Sequence, residues 1–102
     1  MDWNDRENKR LIQAILELRN AGEARGFLRD LMTTKEIEEF GKRLQAAELL
    51  SEDVPYTTIK KETGLSSTTI ARVSKWLSNG MGGYKSVIKK LHRHSSSGAK
   101  GD

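Results

Sequence analysis

The chain has 102 residues and a formal net charge of +4 at pH 7, a length that suits a single domain. Leu, Ile, Val and Phe together supply 22 of the 102 residues, only just above the share of about one fifth below which chains tend to stay disordered. One subunit can therefore build only a small apolar core. The sequence has no cysteine, which excludes disulfides, Cys–zinc sites and thiol catalysis.

Neither a membrane span nor a signal peptide is predicted. No apolar run approaches the roughly 20 residues that a spanning helix needs, and the charged N-terminus, MDWNDRENKR, lacks the apolar stretch of a signal peptide. We therefore expect a cytoplasmic protein without a membrane partner.

The charge is unevenly divided along the chain. Residues 1–53 hold 9 basic and 12 acidic side chains, whereas residues 54–94 hold 8 basic side chains and a single acidic one, Glu62. A basic second half next to a mildly acidic first half favours a surface that faces a polyanion. A solvated basic face without a ligand is the alternative.

Apolar residues recur at helical spacing while strand-like alternation is almost absent, which predicts an all-α fold. Six helices are expected, at about residues 4–20, 23–32, 34–51, 55–63, from Ser66 or Ser67 to about 78, and 84–93. Thr33 and Glu36 form a predicted capping box, Pro55 suits a first helical turn, and Gly64 suits a helix end with positive φ. Residues 1–93 are expected to form one domain. The Ser- and Gly-rich residues 94–102 are expected to be a disordered tail.

A helix, a glycine turn and a second helix across residues 55–78 are typical of a helix-turn-helix. Ile59, Leu65, Ile70 and Val73 would meet at the inside of the elbow, and Gly64 would make the turn. The outer positions of the second helix are small, hydroxylated or basic, as a helix lying in the major groove requires. Two positions depart from the usual pattern: Lys60 lies where a small residue is common, and Thr63 where an apolar residue is common. A helical hairpin that docks a protein partner remains the alternative.

Roles within the helix-turn-helix are assigned from the docking geometry known for this motif, in which the second helix lies in the major groove. Ser67, Thr68, Ala71 and Lys75 are expected to face base edges, while Tyr56, Thr57 and Lys60 are expected to contact phosphates near the start of the first helix. The complete set of predicted DNA-binding residues is Tyr56, Thr57, Lys60, Lys61, Ser66, Ser67, Thr68, Ala71, Arg72 and Lys75.

Three segments resemble the Trp repressor superfamily. LMTTKEIEEFGKR at 31–43 is similar to the start of the family's long third helix, and IKKETGLSSTTIARV at 59–73 to its DNA-reading helix pair. LSNGMGGY at 77–84 is more similar to the YerC/YecD-like branch than to the tryptophan repressor proper. The resemblance implies a six-helix, intertwined homodimer that binds double-stranded operator DNA as a transcriptional regulator, most simply a repressor.

The same resemblance places a ligand pocket but argues against tryptophan as its ligand. The two arginines that flank tryptophan in the family's responsive member fall on Arg43 and Arg72, and two threonines of that pocket fall on Thr33 and Thr69. Val73 replaces a glycine that makes room for the indole ring, and Trp76 replaces a small serine. Filling a packed site is unfavourable, so tryptophan is not expected to bind; a different small-molecule effector remains open.

The remaining features predict neither an enzyme nor a cofactor. His92 and His94 form an H-x-H pair, which is too few ligands for a metal site. No nucleophile with a base, and no pair of carboxylates, stands out. Trp3 and Trp76 are interpreted as packing residues.

Overall fold

The computed structural model describes the backbone of residues 1–101 and the side chains of residues 1–93. Within that part of the chain the regular structure is entirely helical, which confirms the predicted all-α class. The helices are α1 (Arg6–Leu16), α2 (Ala21–Leu31), α3 (Thr34–Ser51), α4 (Tyr56–Thr63), α5 (Ser67–Asn79) and α6 (Gly83–Gly101). None of them, over the described residues, combines the length and the apolar content that crossing a membrane requires.

The first helix is shorter than predicted. It ends at Leu16 with Glu17 as its C-cap, and Asn20, which the sequence suggested as its end, instead begins the next helix. The Asn20 Oδ1 accepts a hydrogen bond from the Glu23 backbone N–H at 2.9 Å, and the Glu23 carboxylate accepts one from the Arg19 N–H at 2.9 Å. The N-cap preference of asparagine therefore decides this boundary.

The predicted capping box at the start of α3 is confirmed. The Thr33 backbone N–H and hydroxyl donate to the Glu36 Oε1 at 2.9 and 3.0 Å, and the Glu36 N–H donates to the Thr33 Oγ1 at 3.1 Å. The bond from the Thr33 backbone, followed by that from its side chain, lowers the pKa of Glu36 because both favour the charged carboxylate.

Helix α6 is longer than the predicted helix at 84–93, since its backbone runs from Gly83 to Gly101. The predicted disordered tail, residues 94–102, lies outside the residues whose side chains are described, and it stays a prediction.

The chain divides into two compact units, Met1–Ile37 and Glu38–Asp102. The first unit, which contains α1 and α2, has no buried residue. Leu11, Ile12, Ile15 and Leu16 of α1 are 39, 40, 45 and 77% exposed. The apolar stripe of α1 is therefore uncovered within its own chain. That residues 1–93 form one domain stays a prediction.

The second unit contains the apolar core. Its buried apolar residues come from α3, α4, α5, α6 and the turn between α4 and α5, and they are Ala46, Ala47, Ile59, Leu65, Ile70, Val73 and Ile88. Helix α5 contacts both α4 and α6. Phe40 of α3 is 47% exposed, and its ring centroid lies 5.6 Å from the guanidinium carbon of Arg43. The core therefore lies toward the C-terminal part of α3.

A tight turn joins α3 to α4. The Asp53 N–H donates to the Leu50 carbonyl at 3.0 Å, and the Val54 N–H donates to the Leu49 carbonyl at 3.1 Å. Asp53 has φ of 61°, the left-handed conformation that short polar side chains tolerate better than branched ones. This turn leads directly into the N-terminus of α4.

Candidate nucleic-acid interface

Helices α4 and α5 form the predicted helix-turn-helix. Gly64 ends α4 with φ of 75°, and its N–H donates to the Lys60 carbonyl at 2.9 Å. Ser66 begins α5, because its Oγ accepts a hydrogen bond from the Thr69 N–H at 3.1 Å. Both the glycine end of α4 and the serine start of α5 agree with the sequence-based expectation.

The inside of the elbow is fully packed. Ile59, Ile70 and Val73 have no exposed surface, and Leu65 is 5% exposed. These are the four apolar residues that the sequence placed there, and burying each side chain contributes of the order of 1.5–3 kcal/mol. The packing holds α5 against α4 through one of its sides only and leaves the other side free.

Thr63 occupies the elbow through hydrogen bonds that a purely apolar residue would not make. It is 4% exposed; its hydroxyl donates to the Ile59 carbonyl at 2.7 Å and accepts from the Leu65 N–H at 3.2 Å. The hydroxyl thus satisfies a buried backbone donor in the turn, where the helical pattern of bonds has ended. Its departure from the usual pattern is explained by these two bonds.

All ten predicted DNA-binding residues lie at the surface: Tyr56, Thr57, Lys60, Lys61, Ser66, Ser67, Thr68, Ala71, Arg72 and Lys75 are each exposed. Among the described side chains, the close pairs of acid and base are Arg43 with Glu39 and His92 with Glu48. The four cations of the helix-turn-helix are outside both pairs, so they are available to an anionic partner.

The structure revises one role within this set. The Ser66 hydroxyl, besides capping α5, donates to the Thr69 Oγ1 at 3.0 Å. Its first function is therefore to start the helix, whereas nothing competes in this way for Ser67 and Thr68 among the described hydrogen bonds. Among the described hydrogen bonds, the hydroxyls of Ser67 and Thr68 at the start of α5 thus remain available to a partner.

The residues of the predicted ligand pocket differ in their contacts and in their burial. The Arg43 Nε lies 3.2 Å from the Glu39 Oε2. Val73 is fully buried in the core, whereas Arg72 is exposed and Thr69 is half-buried. Thr33 belongs to the capping box of α3.

Tryptophan residues are more exposed than expected. Trp76 is 44% and Trp3 49% exposed, so neither side chain is buried within this chain, and their interpretation as packing residues stays a prediction. Both indole rings therefore present apolar surface that the chain itself does not cover.

Tyr84, at the start of α6, is packed against the core. Burial raises the pKa of Tyr84 because it disfavours the phenolate, and the nearby charge of Arg43 acts in the opposite direction. The phenol is therefore neutral over the physiological pH range.

Sequence reasoning gave no role to the basic residues of α6. Lys85, Lys89, Lys90 and Arg93 are exposed along this helix. An open cleft of about 460 Å³ lies beside it, lined by Ser51, Glu52, Leu77, Lys85, Ile88, Lys89 and His92. The four-residue spacing of Lys85, Lys89 and Arg93 could have revealed that they share one face of a helix. Counting the charges of residues 54–94 does not show on which face of a helix each charge lies.

Comparison with known proteins agrees with the segments singled out above. The family model described as Trp repressor protein matches residues 6–92. The chain belongs to the Trp repressor family. Among curated proteins of the family it is similar to the Uncharacterized protein YerC of Bacillus subtilis (strain 168), with 36% identity over 86 residues, which cover 84% of this chain and 83% of YerC.

Solved structures give the same result. A TrpR-like protein from Eubacterium eligens is 36% identical and superposes with a TM-score of 0.84, covering 88% of this chain and 93% of that chain. A Staphylococcus aureus protein, also 36% identical, gives a TM-score of 0.78 with 82% and 84% covered. The Trp-repressor-like fold, predicted from three segments, is confirmed.

The hydroxyl of Thr63 provides a test of the elbow. Thr63→Val keeps the volume but removes both hydrogen bonds, leaving the buried Leu65 N–H without a partner. We expect the free energy of unfolding to fall by about 1–3 kcal/mol, measured by urea denaturation at one fixed protein concentration. Thr63→Ser, which keeps the hydroxyl, should lose less; a Thr63→Val protein as stable as the original would contradict this role.

Proposed function

We propose that this member of the Trp repressor family is a homodimeric transcriptional regulator that binds operator DNA through α4 and α5 and acts as a repressor. The observation that carries the proposal is the two-sided character of α5. Its inner side is sealed in the core by Ile70 and Val73, while its outer side is exposed and bears small, hydroxylated and basic residues. A helix that reads the major groove needs both properties.

The base-reading surface is proposed to lie along one side of α5. Thr68 and Lys75 are seven positions apart, or about two turns, so they share a face with Ala71 between them. The methyl group of Ala71 lets this face approach the bases and can contact a thymine methyl, while the Thr68 hydroxyl can both donate and accept a hydrogen bond. Ser67 and Lys75 extend the surface at either end.

Phosphate contacts are proposed for α4. Tyr56 and Thr57 lie in its first turn, where free backbone N–H groups and the helix dipole favour an anion. Lys60 and Lys61 follow one turn later and are exposed. These contacts would set the register of the protein on the duplex without reading its sequence.

A second subunit is proposed because one chain leaves too much apolar surface uncovered. The stripe on α1 is one such surface in the first unit, and Val87 and Leu91 of α6, which are 47 and 40% exposed, form another in the second unit. Exposed apolar surface of this kind marks an interaction site, and a helix-turn-helix protein reads two half-sites as a symmetric dimer. A cytoplasmic, non-enzymatic role accompanies this proposal.

Selection of bound sites from random duplex DNA tests the proposal most directly. Enrichment of a site with two-fold symmetry, with affinity falling steeply as salt is raised, is the expected result, because binding to phosphates releases counterions. If the pool shows no enrichment and the protein has no salt-dependent affinity for duplex DNA, the helical hairpin serves another partner and the proposal is wrong.

The division of labour between α4 and α5 predicts contrasting variants. Thr68→Ala should weaken binding to the selected operator by ~1–3 kcal/mol while changing binding to random DNA little, since it removes a base contact. Lys60→Ala should weaken both alike and reduce the salt slope by about one unit, since one fewer counterion is released. Fluorescence anisotropy titrations at several salt concentrations measure both effects.

The pair of variants is read together. If Lys60→Ala changes which sequence is preferred, and Thr68→Ala weakens every duplex equally, then the two helices are docked the other way round. Glu62→Gln, near the C-terminal end of α4, serves as a variant that raises the net charge by one, by removing a negative charge, without removing a proposed contact.

The proposed dimer predicts the mass in solution. Light scattering at low micromolar concentration should give twice the 11.5 kDa of one chain, because α1 buries none of its apolar residues within one chain. Leu11→Glu and Ile15→Glu would place charge in the uncovered stripe and should shift the mass toward one chain, whereas Gln13→Glu, on the same helix, should leave it unchanged. A stable monomer of the original chain would end the idea.

Tryptophan is predicted not to be the corepressor. Val73 is fully buried, so making room for an indole ring beside it would require the core to open. Millimolar tryptophan should neither raise the melting temperature nor tighten DNA binding, measured alongside a tryptophan-responsive family member as the positive control. A clear thermal shift of this protein would show that the steric argument is wrong.

A further inference from the structure

Helix α6 carries a basic face for which the proposed helix-turn-helix has no use. Lys85, Lys89, Lys90 and Arg93 are all exposed, and they equal in number the cations of α4 and α5. Between Thr63 and Gly101 the sequence contains no aspartate or glutamate. Half of the positive charge in residues 54–93 therefore lies outside the predicted reading surface.

The spacing of the basic residues in α6 places three of them on a different side of the helix from its exposed apolar residues. Lys85, Lys89 and Arg93 recur every four residues and so share one face. Val87 and Leu91 recur in the same way but two positions out of phase, which places them on roughly the opposite side. A second subunit that covers Val87 and Leu91 would thus leave the three cations exposed.

The acidic groups near α6 lie along one flank. The His92 Nε2 is 3.8 Å from the Glu48 Oε2, and Glu52 lines the cleft that Lys85 and Lys89 also line. Within residues 1–93, neither these lysines nor Arg93 form one of the close acid–base pairs. Among the described side chains, Glu48 of α3 and Glu52 just after it therefore leave Lys85, Lys89 and Arg93 outside the close acid–base pairs.

Helix stability does not account for this arrangement. Like charges four residues apart repel and destabilise a helix, and Lys85 lies in the first turn of α6, where the helix dipole favours an acid instead. The repulsion is relieved when an extended anion lies along the helix.

We propose that the Lys85–Lys89–Arg93 face is a second DNA-binding surface, which contacts phosphates of the duplex flanking the operator without reading sequence. The inference rests on the proposed function. Helix α6 packs on the core through Ile88 and Tyr84 and contacts α5, so this face and the helix-turn-helix belong to one compact unit and would move onto DNA together.

A triple variant, Lys85→Gln with Lys89→Gln and Arg93→Gln, tests this surface. Glutamine keeps the helix propensity while removing charge. The matched control is Arg19→Gln with Arg25→Gln and Lys35→Gln, which lowers the net charge equally on exposed residues of the first unit. Circular dichroism, thermal melting and light scattering verify that both variants keep the fold and mass of the original chain.

The probes are a long duplex with the selected operator at its centre, a random duplex of equal length, and the operator trimmed to its selected bases. We expect the α6 variant to bind both long duplexes at least tenfold more weakly than the control in low salt. Its salt slope should be reduced by about 0.9 for each phosphate that the variant no longer neutralises. On the trimmed operator the difference should largely disappear.

The outcomes separate the two proposals. If the original chain binds DNA and the α6 variant behaves like the control, the second surface is refuted while the proposed function stands. A weakening confined to the operator would also refute it, because the contacts would then carry sequence information. If the original chain binds none of the duplexes, the proposed function fails and this inference fails with it.

Discussion

The packing of α4 and α5 against the C-terminal part of α3 is the interaction on which the rest of the structure depends. Ala46 and Ala47 of α3 are completely buried and belong to the same core cluster as the buried residues of α4 and α5. Ile59, Ile70 and Val73 fill the remaining space. Ile70 and Val73 of α5 are used on this side, and the exposed side of the helix carries its small, hydroxylated and basic residues together with the partly exposed Trp76. The helix can therefore be both firmly held and available to a ligand.

This core lies within the second unit, so the first unit has no apolar core of its own. No residue of α1 or α2 is fully buried, and backbone ordering costs about 1–2 kcal/mol per residue. Capping bonds at Asn20 and Thr33 help to fix where α2 and α3 begin, but they do not remove apolar surface from water. The proposed second subunit would supply the missing burial, and it would also give a symmetric pair of reading helices.

Features encoded within a few residues were predictable from the sequence. The Thr33–Glu36 box, the Gly64 helix end and the Ser66 cap each depend on groups no more than four positions apart, and each is confirmed. The elbow residues were predictable because, once Gly64 makes the turn, the spacing of Ile59, Leu65, Ile70 and Val73 brings all four to the inside of the elbow. Family resemblance then gave the fold, which spacing alone could not distinguish from another helical hairpin.

Features that depend on competition between distant groups were not predictable. The end of α1 was misplaced because the apolar spacing continues to Leu18 while the N-cap preference of Asn20 prevails. The exposure of Trp76 and Phe40 depends on which side of a helix finds a neighbour, and residue type does not specify that. The sequence showed the basic residues of α6 only as a contribution to the net charge. Which side of the molecule they occupy depends on how the helix packs on the core, and only the structure shows that.

The exposed apolar stripe on α1 makes the folding of this region depend on the concentration of the protein. If only another copy can cover Leu11, Ile12 and Ile15, folding of this region is a second-order reaction, and the fraction of paired reading helices rises with the number of copies in the cell. Below the dissociation constant, the occupancy of a two-fold symmetric site would then vary with about the square of the total concentration of chains. A regulator built in this way responds sharply to its own synthesis without any small molecule.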